Sequence, residues 1–128
     1  MSGASPPPFP KTHRGKANCN GSVRVGLDGL TTPSSDWKVI IDFYEALHWI
    51  ETYLGTKHPS LRRRESYGDT QRDVQTHLRS LYNSYFGLLT ASFHFRYQLA
   101  FAEPIDVQKA DSHAKRIRDH VKQALNLP

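Results

Sequence analysis

The chain has 128 residues and one cysteine, Cys19, enough for a single domain with one modest core and too few thiols for an internal disulfide framework. Lys and Arg outnumber Asp and Glu by 17 to 12, giving a formal charge of +5 and a pI near 9.5; a polyanion is the first partner to consider, with solubility the plainer use of that charge. No apolar run approaches the roughly 20 residues of a membrane span, and the N-terminus lacks a hydrophobic signal core. A protein of the reducing cytoplasm, with no membrane contact, is the expectation.

Residues 1–35 differ in kind from the rest. Pro6, Pro7, Pro8 and Pro10 precede a basic patch of Lys11, His13, Arg14 and Lys16, and a Gly-punctuated stretch follows from Gly21 to Leu30. This composition reads as largely irregular, with Val23, Val25 and Leu27 alternating as in a short strand or hairpin. Residues 36–126 read as one helical domain. Ser34, Ser35 and Asp36 supply N-cap chemistry for a first helix over Asp36–Leu54. Its stripe is Val39, Phe43, Ala46, Ile50 and Tyr53, widened by Trp37, Ile40, Ile41, Leu47 and Leu54. Lys38, Asp42, Glu45 and Thr52 form its polar strip, while Tyr44 and His48 stand one turn apart inside the apolar surface. A helix so apolar has to be wrapped by others.

Gly55 and Pro59 stop that helix, and a basic connection follows, Lys57-His58-Pro59-Ser60-Leu61-Arg62-Arg63-Arg64. Thr70 to Phe93 reads as one second helix, capped by Asp69 or Thr70, with a seam of Val74, Leu78, Leu81, Tyr85, Leu88 and Ser92. Its aromatics Tyr82, Tyr85, Phe86 and Phe93 belong, at this spacing, to a core or a dimer surface rather than a base-stacking platform. Pro104 breaks the chain, and Asp106 opens a third helix to about Leu125 that packs by Val107, Ala110, Ala114, Ile117, Val121 and Ala124. Three long helices with short connections predict an all-α, antiparallel bundle. There is no His-x-x-x-His, cysteine cluster, Gly-rich phosphate loop or nucleophile elbow, so no metal or other cofactor is expected.

Three pieces in order, Phe43-Tyr44-Glu45-Ala46-Leu47-His48, then His58-Pro59 with Arg62, Arg63 and Arg64, then Ser92-Phe93-His94-Phe95-Arg96-Tyr97, resemble small bacterial members of the HEPN (higher eukaryotes and prokaryotes nucleotide-binding) family. The likeness spans about residues 36–122. It implies an all-α bundle that dimerises, and one of two functions. The first is a metal-independent endoribonuclease of toxin or defence type working at a dimer cleft. The other is a non-catalytic module that binds nucleic acid, a nucleotide, or a protein partner such as a nucleotidyltransferase-type antitoxin.

Active members of that family carry an Arg followed, after four to six residues, by a His. Such a His can deprotonate a ribose 2′-hydroxyl that attacks the adjacent phosphate, while the Arg stabilises the charge that develops. Here the spacing occurs at Arg72 and His77, early in the second helix; counted from Arg96 it lands on Phe101, Ala102 and Glu103. Arg96 is the candidate phosphate clamp by position, or else a partner for helix-end carbonyls. His48, His58 and His77 are the candidate bases. Arg62, Arg63, Arg64, Arg72, Tyr44 and Tyr97 are the candidate RNA contacts, each with a plainer reading as solvated charge or packing.

Overall fold

The computed structural model describes residues 14, 16–18, 20, 21, 24, 35–61, 66–97 and 102–128. Its elements are α1 (Ser35–Lys57), α2 (Tyr67–His77), a 3₁₀ turn (Arg79–Leu81), α3 (Tyr82–Tyr97) and α4 (Pro104–Ala124). All regular structure among the described residues is helical, and the architecture is the expected all-α bundle. α1 packs most extensively on α4 and next on α3. Its direction relative to α4 follows from three contacts. Asp36 Oδ1 accepts the Ala102 N–H at 2.6 Å, Glu45 meets Arg118, and Trp49 lies under the Lys122 ammonium at 5.5 Å. Rising numbers on α1 meet rising numbers on α4, so these two are parallel. On α3 the order reverses: Ser80, just ahead of it, meets Arg116, and Gly87 meets His113. The helices therefore run up, down and up.

The core is built from the periodic residues of each helix. Val39, Phe43, Ala46, Trp49, Ile50 and Leu54 of α1 meet Tyr85 and Leu88 of α3 and Ala110, Ala114, Ile117 and Val121 of α4. Trp49, Tyr85 and Phe43 are the largest side chains fully buried there, and burial of one such ring contributes on the order of 2–3 kcal/mol. The small Ala110 and Ala114 let α4 approach α1 closely.

The second helix expected over Thr70–Phe93 is two helices. Leu78, at φ −132° and ψ 48°, leaves the helical region, and the chain turns through Arg79–Leu81 before α3 begins. The expected seam survives this break: Val74, Leu78, Leu81, Tyr85, Leu88 and Ser92 are all buried, because the turn carries Leu81 back to the same side. Ser66, not Asp69 or Thr70, caps α2, its hydroxyl accepting the Asp69 N–H at 3.1 Å. Thr70 is buried instead and donates to Glu51 of α1 at 3.3 Å. α1 runs through Gly55 to Lys57, and the His58 N–H still bonds the Leu54 carbonyl. α4 opens with Pro104 in its first turn and Asp106 Oδ2 accepting the Glu103 N–H at 2.8 Å.

The polar strip of α1 is not a solvent face. Asp42 and Glu45 are both buried. The N-terminal segment, expected to be irregular, has helical backbone at every described residue, with Ala17 in the core and Arg24 buried. Val23, Val25 and Leu27, expected as a strand, lie outside the described residues, as does the capping Ser34. Arg24 reaches across 87 positions to Asp111 of α4, with Nη2–Oδ2 at 2.8 Å and Nε–Oδ1 at 3.2 Å, and its Nε lies 3.6 Å from Asp42. Burial, and then the neighbouring Asp111 carboxylate, push Asp42 up to about 9, against the opposing pull of Arg24.

A carboxyl raised in this way keeps its proton in the folded state after the unfolded chain has lost it. Its contribution is therefore complete below about pH 4 and declines as pH rises toward 9, by as much as about 1.4 kcal/mol per pH unit. We expect Asp42→Asn, which keeps the shape and removes the titration, to flatten the fall in Tm between about pH 5 and pH 8. Parallel wild-type and variant curves across that range would show that Asp42 is ionised in the fold.

Candidate functional site

Two of the expected contacts meet where α1 and α3 pack. Arg96, in the last turn of α3, donates from Nη1 to the Tyr44 hydroxyl of α1 at 2.8 Å. Its Nε also reaches the Ser92 carbonyl one turn back, at 3.4 Å, so the helix-end reading of this Arg holds as well. The guanidinium carbon stands 5.7 Å from the Tyr44 ring centre and 4.9 Å from that of Tyr97, both within cation–π range. Phe93 leans on Tyr97 with ring centres 4.9 Å apart. Tyr97 is 66% exposed and Phe93 52%. The result is a cation fixed between two aromatic rings, with a further exposed ring beside it.

This geometry follows from helical spacing. Tyr44 lies next to the core residue Phe43, with the two rings edge to face at 5.2 Å, so it sits half-buried at the margin of α1. Arg96 lies four residues beyond the fully buried Ser92 and eight beyond Leu88, which carries its stem along the α1–α3 seam. His48 is half-buried one turn after Tyr44, about 6 Å along the axis. Its carbonyl accepts the Thr52 hydroxyl at 2.8 Å.

The other two candidate bases are brought together, but elsewhere. His58, just past α1, and His77, at the end of α2, lie with ring centres 4.0 Å apart at an interplanar angle of 33°. Tyr53 is 6.2 Å from His58. From Tyr44 to His58 is about 20 Å along α1, so this pair and Arg96 do not share a cleft within one chain. Arg72 is exposed and paired with Asp69 in the first turns of α2, so the Arg72–His77 spacing does not assemble an Arg–His pair. Arg62, Arg63 and Arg64 lie outside the described residues.

The expected aromatic seam of α3 divides. Tyr85 is core, whereas Phe86 and Phe93 are exposed. Tyr82 stacks on Phe86 at 5.9 Å and accepts a bond from Gln71 at 2.9 Å. Sequence periodicity did not single out the buried polar cluster of Arg24, Asp42 and Asp111, or Glu45 with its partners Trp49 Nε1 and Arg118 Nη1, each at 3.2 Å. The signal available was the position of Asp42 and Glu45 among the apolar residues of α1. Among the described residues, no group of three or more His, Cys, Asp or Glu is placed to hold a metal ion, and no helix is long and apolar enough to cross a membrane.

No protein-family model, curated protein or solved structure matches the chain.

The Tyr44–Arg96 contact can be measured directly. A double-mutant cycle of Tyr44→Phe and Arg96→Lys, followed by urea unfolding, is expected to give a coupling of about 1 kcal/mol, the range for a partly buried charge-assisted bond. Additive effects would mean that the two side chains do not hold each other in solution.

Proposed function

We propose that this chain is a HEPN-like module that binds single-stranded RNA over the Tyr44, Arg96 and Tyr97 surface. The observation that carries the reading is the Arg96 guanidinium held by the Tyr44 hydroxyl at 2.8 Å and flanked by two aromatic rings. An Arg held in this way loses little further entropy when it meets a phosphate, and a guanidinium's planar donors suit phosphate oxygens. Arg96 is half-buried with Nη2 shut off from solvent, so a phosphate would reach it by displacing a neighbouring group. Exposed rings beside it can stack on unpaired bases, at about 1–3 kcal/mol per base. The net charge of +5 adds long-range attraction for the same polyanion.

A second reading, metal-independent cleavage at a cleft between two copies, rests on His48 lying one turn from Tyr44. In that reading His48 takes the proton from a ribose 2′-hydroxyl. The resulting oxygen attacks the neighbouring phosphorus, the 5′-oxygen leaves with a proton from a second acid, and a 2′,3′-cyclic phosphate remains. A second copy seated against the exposed Phe86 and Phe93 of α3 would bring another Arg96 near the first. The His58–His77 pair offers two imidazoles for base and acid, about 20 Å along α1 from its own Arg96.

One experiment separates these readings. The protein is mixed with a panel of single-stranded RNAs in EDTA, and both retention and integrity of the RNA are followed as salt is raised. We expect binding that weakens steeply with salt, and about a tenfold loss for Arg96→Ala. Products ending in a cyclic phosphate, lost in His48→Ala, would establish cleavage. Intact RNA throughout would leave binding alone, and no affinity for any RNA at low salt would overturn the proposal.

A further inference from the structure

A second polar site lies between α3 and α4, away from the Arg96 surface. It is a groove of about 600 Å³. The nearly buried Ser84 lines it from α3, and Ser112, His113 and Arg116 line it from α4. Arg116 is anchored by an Nη2 bond to the Ser80 carbonyl at 3.3 Å, which uses one of the five donors of a guanidinium. At the rim, Lys115 and Asp119 neutralise each other at 2.6 Å. The charge facing the groove is therefore that of Arg116.

His113 is set by its neighbour on α3. A Cβ built on Gly87 would come within 3.1 Å of the His113 Nε2, so the absence of a side chain at position 87 is what lets the imidazole lie against α3. Burial, and then the charges of Arg116 and Lys109, hold His113 below its usual range. It is thus neutral at pH 7, with one ring nitrogen to donate and one to accept. The groove combines the Arg116 cation with hydroxyls and a neutral imidazole, and no Phe, Tyr or Trp ring lines it. That donor set suits an anion carried on a hydroxyl-bearing body, and it lacks the flat apolar wall a nucleobase would stack on.

We propose that the α3–α4 groove binds a phosphate ester, with Arg116 on the phosphate and Ser84, Ser112 and His113 on the oxygens around it. The phosphate could belong to a small sugar phosphate or to an RNA backbone, and the site is independent of the Arg96 surface.

The test is an NMR titration of the full chain, following the His113 ring signals. Inorganic phosphate is added first, then ribose 5-phosphate, then a single-stranded RNA oligonucleotide in competition. Both small probes are expected to move the His113 signals to saturation. Arg116→Gln is expected to weaken ribose 5-phosphate by about tenfold, as loss of a charge-assisted contact does. Gly87→Ala is the second variant. It suits a helix and needs no unusual backbone, but its methyl requires His113 to shift by a few tenths of an ångström, so binding should weaken in a protein that still folds. RNA that displaces ribose 5-phosphate identifies backbone phosphates as the source, and RNA that does not compete identifies free esters; either upholds the site. His113 signals that neither small probe moves, or an Arg116→Gln variant that binds as the wild type does, would overturn it. So would loss of the His113 response in Arg96→Ala, because the groove would then not be a separate site.

Discussion

The packing of this bundle depends on burying α1 with two of its carboxyl groups, Asp42 and Glu45, inside. Asp42 and Glu45 cannot face the core uncompensated, since an unpaired buried charge costs several kcal/mol. Each is answered by a residue far away in sequence. Arg118 of α4 meets Glu45, which also accepts the Trp49 indole N–H. Asp42 lies with Asp111 and Arg24, and its raised affinity for a proton leaves the Arg24 charge to be matched chiefly by Asp111. These contacts fix the register of α4 along α1. They also tie Arg24 to the outside of the same pair, with Gly21 close against the Glu45 carboxylate.

Covering that side of α1 leaves its opposite flank to α3 and to solvent. Trp37 is exposed there, and Tyr44 and His48 are half-buried. α3 meets this margin with its last turns, where Ser92 is buried, Arg96 is half-buried and Tyr97 is exposed beside it. The aromatic and cationic surface therefore follows from how α1 is buried. A change that loosened the Arg24–Asp111 contact would act on the opposite side of the helix from Arg96, through the axis they share.

Much of this was legible in the sequence where the signal is local. Period and polarity located α1 and α4 to within a few residues. Every position they named for the α2–α3 seam is buried, because the Leu78 break leaves the spacing of four and three intact. The break itself was hidden: nothing at Arg79 or Ser80 is a Pro or a Gly that would mark it. The polar strip of α1 was legible, but the burial of Asp42 and Glu45 within it was not, for a physical reason. The burial of a carboxyl group beside apolar neighbours is not legible until its partners are known, and these lie far off, Arg24 and Asp111 for Asp42 and Arg118 for Glu45. The His58–His77 contact was likewise out of reach, since it depends on how the chain turns between α1 and α2.

The placement of the candidate bases decides what chemistry one chain can support. Acid–base cleavage of RNA needs a base within hydrogen-bond reach of the 2′-hydroxyl and a cation at the adjacent phosphate, a span of a few ångströms. His58 and His77 lie about 20 Å along α1 from Tyr44 and its bound Arg96, so they cannot serve that phosphate. His48 is close enough along α1, but a single imidazole beside a single guanidinium supplies one proton acceptor and no separate acid for the leaving oxygen. Among the described residues, one copy thus brings a single imidazole near Arg96, which in the proposed reading is enough for binding and not for cleavage. A second copy, apposed through the exposed rings of α3, would have to supply the rest. In the proposed reading, catalysis is therefore conditional on assembly, while RNA binding at Arg96 would need only the single chain.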